Sequence, residues 1–178
     1  YISSYNNILV NGSLNIMNNE TKNSSQKIVY LSGTSLIGDV NIYNNITGHI
    51  IGTSGSGFML RHVKVFNNDA KSVIFSNSML DNGLIDIDSS MIVGNISNDS
   101  HTIYCTGQIK ITNSIVSDNI SGYEGVINNG DRYTYINNTT LCNNVGQNNF
   151  GGFYTGPSSE INNSNLINNG ISVQNWDN

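Results

Sequence analysis

Aliphatic residues recur along the chain at a fixed distance before an asparagine. An aliphatic residue, two variable positions and an Asn form a tetrad that occurs seven times, at residues 16–19, 42–45, 65–68, 92–95, 116–119, 141–144 and 166–169. The closing asparagines are Asn19, Asn45, Asn68, Asn95, Asn119, Asn144 and Asn169, and their spacings of 26, 23, 27, 24, 25 and 25 residues average 25. A repeat of this length, built from short aliphatic runs and not from helical patterns, predicts a solenoid in which each repeat stacks on its neighbours.

Two short apolar segments fill the rest of each repeat. The first has cores such as residues 28–30, 73–75 and 103–104, and the second alternates apolar and polar positions, as at 40–42, 85–87 and 109–111. Alternation is typical of strands with one buried face. Length variation falls at residues 20–26 and 97–100, which places insertions at one corner. The pattern predicts an all-β fold, a parallel β-helix of about seven coils forming a single domain over residues 1–178.

Asparagine occupies two further positions of the repeat. The residue before the closing Asn is also Asn in five repeats, with Gly94 and Asp118 in the other two. A separate column contains Asn113, Asn138 and Asn163 and continues through Ser89 to His62. Because Asn tolerates left-handed backbone at tight bends, and stacked amides hydrogen-bond along a column, we expect both columns to form turns and side-chain ladders.

Composition narrows the function classes. The chain has 33 Asn, only 11% charged residues and a net charge of −5, so it lacks the basic surface that binds nucleic acid. No apolar run approaches the ~20 residues of a membrane span, and no motif calls for a cofactor. Cys105 and Cys142 fall in different columns of the repeat, with Cys142 beside Ser117, so we expect no disulfide between them.

The repeats resemble those of two groups of surface proteins. The aliphatic-x-x-Asn tetrads look like the Phe-x-x-Asn half of the repeat in chlamydial polymorphic outer-membrane proteins, and residues 151–154 look like its Gly-Gly-Ala-Ile half. Aliphatic residues replace Phe here, and 124–125 is only a partial second Gly-Gly pair. Richness in Asn and low charge are nearer to the adhesin-like proteins of methanogenic archaea. The resemblance implies a right-handed parallel β-helix on the cell surface with a role in adhesion, and it transfers no catalytic or binding residues.

We therefore expect a non-catalytic, extracellular, adhesin-like segment that acts as a stiff stalk or display surface. Its expected partners are glycans or proteins on a host or neighbouring cell. Neither end of the sequence shows a cap, and Tyr1 opens directly on repeat-like sequence. An uncapped solenoid exposes sheet edges, so we also expect adjoining repeats in a longer chain or end-to-end stacking of copies.

A polysaccharide-degrading enzyme is the first alternative, because a β-helix also supports such enzymes. The repeat offsets place Arg61 beside Asp88 and Lys110 beside Asp86, all pointing outward in one charged patch. Two carboxylates beside basic groups are material for glycoside or uronate chemistry. Charges that alternate in sign from coil to coil are equally typical of simple ion pairing. The offsets also place His62 beside Asp39.

A carbohydrate-binding module is the second alternative. Tyr30, Phe75, Tyr104 and Tyr154 end their strands at equivalent positions. We expect them to form a stacked column in the core, whereas an exposed column would offer sugars a stacking platform. The three histidines, His49, His62 and His101, lack metal-ligand spacing and are expected to be satisfied or at the surface.

Glycosylation is a further possibility for a secreted chain. Ten Asn-x-Ser/Thr sequons are present, many of them within the asparagine columns. A ladder asparagine would lose its hydrogen bonds on accepting a glycan. The plausible acceptors are therefore Asn23 and Asn98, in the two corner insertions.

Overall fold

The chain folds as a parallel β-solenoid. The structure is a computed structural model that describes residues 1–21, 23, 25–53, 55–77, 83–123, 125–130, 132–146, 152–154, 159–169 and 173–174. Within these residues the strands are β1 Ile2–Ser4, β2 Ile8–Met17, β3 Lys27–Leu31, β4 Ser35–Tyr43, β5 Ile46–Thr53, β6 Phe58–Phe66, β7 Asp69–Ser76, β8 Leu84–Asp88, β9 Met91–Val93, β10 Ile96–Ser97, β11 Ile103–Cys105, β12 Gln108–Thr112, β13 Ile115–Ser117, β14 Ile120–Ser121, β15 Ile127–Asn128, β16 Thr134–Asn137, β17 Thr140–Cys142, β18 Val145–Gly146, β19 Phe153–Tyr154, β20 Glu160–Asn162, β21 Asn165–Ile167 and β22 Val173–Gln174.

The strands form two sheets of 11 strands each. Sheet A runs β1-β3-β5-β7-β11-β15-β19-β22 with the short strands β10, β14 and β18 beside it. Sheet B runs β20-β16-β12-β8-β6-β9-β13-β17-β21, and β2 and β4 extend it at the first coils. Each strand pairs in parallel with the strand about one repeat away, so the predicted solenoid with a repeat near 25 residues is confirmed.

The aliphatic residues of the tetrads stack in the interior. Ile42, Val65, Ile92, Val116 and Leu141 lie in register in successive coils, and each is at most 1% exposed. A second interior column runs through Leu36, Leu60, Ile87, Ile111 and Ile136. Full burial of one such side chain contributes about 1.5–3 kcal/mol, so these columns are the main stabilising feature of the fold.

The corners of the coil use left-handed backbone. Positive φ occurs at the residue before the closing Asn, for example at Asn67 (53°) and Asp118 (56°). It occurs again in the column of His62, Ser89, Asn113, Asn138 and Asn163. The predicted bends are therefore confirmed at these two columns. The closing asparagines themselves do not adopt this conformation, and their role is in the side-chain ladder.

Candidate functional site

The closing asparagines form a continuous hydrogen-bonded ladder on the inner side of one corner. Each Nδ2 donates to Oδ1 of the closing Asn in the next coil at 2.9–3.0 Å, from Asn19 through to Asn169. The backbone N–H of each donor reaches the same oxygen at 3.0–3.3 Å. A third bond joins Nδ2 to the carbonyl of the preceding tetrad, as from Asn68 to Ile42 O at 2.9 Å. The ladder holds the coils in register and does not present its amides to a ligand.

The charged patch lies on the outer face of sheet B, as predicted. Arg61 is in register with Asp88, and its Nε lies 3.2 Å from the Asp88 Oδ2, although this N–H is not aligned for a hydrogen bond. The other Asp88 oxygen accepts hydrogen bonds from Thr112 Oγ1 and Asn113 Nδ2, both at 2.8 Å. Burial acts to raise the pKa of Asp88, but the two hydrogen bonds and the Arg61 charge outweigh it and hold the pKa below its usual value. Asp88 is thus an ionised acceptor and a poor proton donor.

The second pair of the patch is more deeply placed. Lys110 lies in register with Asp86 and donates to its Oδ2 at 3.1 Å. Asp86 is only 8% exposed, and its other oxygen, Oδ1, is buried with no hydrogen-bond partner. The patch therefore consists of two ion pairs in neighbouring columns, in which Arg61 Nε and Asp86 Oδ1 are both buried without a hydrogen-bond partner.

Asp39 and His62 do not pair as the repeat offsets predicted. The register between β4 and β6 shifts between Ile37 and Val40, and this shift leaves Asp39 without a partner in β6. No hydrogen bond joins the two side chains, although both line a surface cavity of about 420 Å³ with Gly38, Lys64, Ser89 and Met91. No group of three or more His, Cys, Asp or Glu that could hold a metal occurs among the residues that the structure describes.

The aromatic column is on the outside of sheet A, so its predicted place in the core is wrong. The inward positions are the adjacent aliphatics, such as Ile74 and Ile103, while Tyr30, Phe75 and Tyr104 are half-buried on the outer face. Phe75 and Tyr104 stack with centroids 5.5 Å apart and planes 19° apart. Tyr154 continues the register, but its side chain lies outside the described part of the chain. Because the rings stack face to face, they leave mainly edges for a ligand.

Two histidines extend this aromatic stack and were not recognised from the sequence. His101 stacks on Tyr104 at 5.6 Å, with Nδ1 3.0 Å from Gly125 O and Nε2 3.0 Å from the Asn128 amide. His49 stacks on Phe75 at 4.3 Å, but its Nδ1 is buried without a hydrogen-bond partner.

The environment of His49 disfavours its charged form. His49 is only 6% exposed. Burial, and then the charges of Lys27 and Lys71, lower the pKa of His49 to about 4. His49 lies in register with Lys27, one repeat earlier. This offset is the feature of the sequence that could have indicated the environment of His49.

A cleft opens beside the first corner insertion. It has a volume of about 780 Å³ and is lined by Tyr1, Asn18, Asn19, Glu20, Thr21, Ser25, Gln26, Lys27, Ile28 and Tyr30. The backbone of this segment pairs with the second coil: Thr21 N–H donates to Ile46 O, and Ile46 N–H donates to Asn19 O. The cleft thus lies beside Asn19, the first rung of the ladder among the described residues.

The two candidate glycan acceptors differ in their surroundings. Asn23 is exposed, and its Oδ1 accepts hydrogen bonds from Ser25 N and Ser25 Oγ at 2.9 and 2.7 Å. Asn98 is also exposed, but its Nδ2 donates to the carboxylate of Asp69. Of these two residues, Asn23 is the one whose amide nitrogen has no acceptor within the described part of the chain.

The cysteines are both free, and the prediction that they do not pair is confirmed. Cys105 lies in register with Ser76 in sheet A, whereas Cys142 lies in register with Ser117 in sheet B.

Comparison with known proteins gives no match: no family model, no curated protein and no solved structure is significantly similar to the chain. Among the described residues, no helix is long and apolar enough to cross a membrane.

Proposed function

We propose that the chain is a non-catalytic, adhesin-like segment of a cell-surface protein, in which the solenoid serves as a stiff stalk or display surface. The observation that supports this most is the unbroken asparagine ladder. It joins its seven asparagine rungs by at least two hydrogen bonds at each of the six steps, as a rod that transmits force would require. The surface location and the role in adhesion rest on the resemblance of the repeats to those of known surface proteins.

The arrangement of the carboxylates also supports a non-catalytic role. A glycoside hydrolase needs one carboxyl group that is protonated near neutral pH. The pKa of Asp88 is lowered, and Asp86 is paired with Lys110. A polysaccharide-degrading enzyme nevertheless stays the second candidate, because Asp86 Oδ1 is a buried carboxylate oxygen with no partner.

Adhesion is tested directly with beads coated with the chain. We expect the beads to bind intact cells, and treatment of the cells with glycosidase or protease identifies the partner as glycan or protein. A matched coating of heat-unfolded chain is the control. Beads that bind no better than this control would contradict the proposal.

A parallel assay distinguishes the enzyme. The soluble chain is incubated with neutral and acidic polysaccharides, and released reducing ends or unsaturated products are measured. Turnover that disappears in Asp86→Ala or in Asp88→Ala would replace the proposed function with the catalytic one.

A further inference from the structure

The cavity beside Asp39 and His62 lies in the middle of sheet B, where the regular repeat is interrupted. At the register shift of β4, Gly38 and Asp39 lie opposite the single residue His62 of β6, which makes the shift a β-bulge. Gly38 has φ of 135°, and a Cβ there would lie 2.6 Å from the Val10 carbonyl oxygen, so a side chain does not fit. Bulges redirect neighbouring side chains and occur often beside functional sites. The bulge therefore accounts for the place of Asp39 at the cavity wall.

The same corner is closed by side-chain hydrogen bonds in the later coils. Asn138 Nδ2 donates to Asn113 Oδ1 at 2.8 Å, and Asn113 Nδ2 donates to the Asp88 carboxylate at 2.8 Å. His62 occupies this left-handed position in its own coil, and its exposed imidazole makes no hydrogen bond to another described residue. The corner is thus filled by bonded amides in the later coils and is open at the cavity.

The cavity wall carries one cation and one anion that have no partner within the described part of the chain. Lys64 and Asp39 are both exposed, and neither side chain makes an ion pair or a hydrogen bond with a described residue. By contrast, Arg61 and Lys110 of the neighbouring patch each face an aspartate, at 3.2 and 3.1 Å. Met91 adds an apolar side chain that is 38% exposed. The wall thus offers a donor for an anion, an acceptor for hydroxyl groups and an apolar surface.

We propose that this cavity binds a sugar ring that carries a carboxylate, such as a hexuronate or a sialic acid within a glycan. Lys64 donates to the carboxylate, Asp39 accepts hydrogen bonds from ring hydroxyls, and Met91 packs on the C–H face of the ring. A neutral sugar would leave the Lys64 charge without an anionic partner, and a small inorganic anion would face the Asp39 carboxylate. The volume of about 420 Å³ lies within the range of about 300–1,000 Å³ that is usual for small-molecule sites. The inference rests on the proposed function, because it assigns a class of glycan and a place on the display surface to the adhesion.

The test is an NMR titration of the isotope-labelled chain with two acidic probes, trigalacturonate and sialyllactose, each up to about 10 mM. The methyl ester of trigalacturonate, and lactose, are the matched neutral probes that lack the charged group. We expect the amide signals of Asp39, His62 and Lys64 to shift with at least one acidic probe and not with its neutral counterpart. The signal of Lys71, which is exposed on sheet A, should stay in place. The acidic probe that binds identifies the source of the carboxylate as a uronate polysaccharide or a sialylated glycan.

Two variants separate a built site from general attraction of an anion. Lys64→Gln removes the charge and keeps the length of the side chain, so the affinity for the acidic probe should fall about tenfold or more. Asp39→Ala should also weaken binding, because the hydroxyl acceptor is lost, whereas general electrostatic attraction would strengthen when a like charge is removed. Lys71→Gln is the matched control, since it makes the same change of charge on the other sheet, and its affinity should be unchanged. Far-UV circular dichroism checks that all variants fold.

Four outcomes overturn the inference. They are the absence of shifts with both acidic probes, equal binding of a neutral probe, tighter binding in Asp39→Ala, and a loss in Lys71→Gln as large as that in Lys64→Gln. Coated beads that adhere to cells, while neither acidic probe binds, would overturn this inference and leave the proposed function standing. Beads that fail to adhere, while an acidic probe binds at the cavity, would contradict the proposed function and support the site.

Discussion

Adjacent asparagines at the same corner have different physical roles, as Asn67 and Asn68 show. Asn67 is exposed and left-handed, with φ of 53°, and its backbone N–H donates to Val93 O at 3.1 Å. Asn68 is 1% exposed, and its side chain bonds to both neighbouring rungs of the ladder. The first position selects for backbone conformation, which Gly94 also provides. The second needs a donor and an acceptor on one short side chain, and it is Asn in all seven repeats.

Loss of a ladder amide is the largest effect that we expect. Asn68→Ala leaves the buried Ile42 carbonyl, which Asn68 Nδ2 contacts at 2.9 Å, without its side-chain donor, and it removes the acceptor of Asn45. Each buried group left unpaired costs ~1–3 kcal/mol, so the free energy of unfolding should fall by about 3 kcal/mol or more. Chemical denaturation monitored by circular dichroism measures the change.

Asn67→Ala is the matched control for this substitution. It keeps the backbone hydrogen bond to Val93 and loses only the tolerance of Asn for left-handed backbone, which is worth about 1 kcal/mol. Equal losses in the two variants would contradict the distinction between the two positions.

A second contrast with the ladder is His49, a buried side chain whose Nδ1 has no hydrogen-bond partner. Burial, and then Lys27 and Lys71, lower the pKa of His49 to about 4, whereas the unfolded chain has an ordinary value near 6.5. Between these values the unfolded chain binds a proton that the folded chain does not. Stability should therefore fall as the pH is lowered from about 6.5 to about 4, by about 2 kcal/mol in total after allowance for solvent screening.

Denaturation at a series of pH values measures this slope. In His49→Leu the loss between these pH values should be smaller by the contribution of the imidazole, and Lys71→Ala should give an intermediate slope. The same slope in His49→Leu as in the unmodified chain would show that other groups cause the acid sensitivity.

A smaller effect is expected at the left-handed position of the fourth coil. Gly94 has φ of 64°, and a Cβ added there would lie 2.8 Å from Asn67 Oδ1. Gly94→Ala should destabilise the chain by about 1–2 kcal/mol, because a non-glycine residue strains this backbone and the Asn67 amide must move. Gly94→Asn should recover part of the loss, since Asn occupies this position in other coils. Thermal unfolding compares the two variants, and an Ala variant as stable as the Asn variant would count against the backbone explanation.

The repeat was enough to predict the solenoid, the registers of the charged pairs and the ladder. These follow from equal spacing, because a residue one period away must be a neighbour in the next coil. The predicted pairing of Asp39 with His62 was wrong because the register shift between Ile37 and Val40 breaks the equal spacing of the repeat. The repeat spacing does not predict such a shift. In the structure, the shifted segment contains Gly38, which has a positive φ.

The prediction that the aromatic column lies in the core was wrong. It relied on hydrophobicity, which alone does not determine which face of a strand a side chain occupies. Strand residues alternate between faces, and Ile74 and Ser76 took the inward positions on either side of Phe75. The buried His49 joins the stack from a different register position, since it is in register with Ser72 and not with Phe75. Composition suggested that the aromatic side chains are buried. The strand registers in the structure show instead that the rings lie on the outer wall and stack on one another.

Glycan attachment should distinguish the exposed asparagines, which can accept a glycan, from the ladder asparagines, which cannot. At the exposed sites it should have little effect on the stability of the fold. Expressed through a glycosylating secretory route, folded chain should carry a glycan at Asn23, whose Oδ1 already accepts the Ser25 hydroxyl at 2.7 Å, and Ser25→Ala should abolish it. Peptide mass spectrometry should find lower glycan occupancy at Asn98, where Nδ2 is held by Asp69, and Asp69→Ala should raise this occupancy.

Asn119 is fully buried, so a chain modified there cannot rebuild the ladder and should be missing from the folded fraction. A glycan at Asn119 in folded protein would contradict the ladder role, whereas one at Asn23 should change the unfolding free energy by less than about 0.5 kcal/mol, as exposed substitutions do.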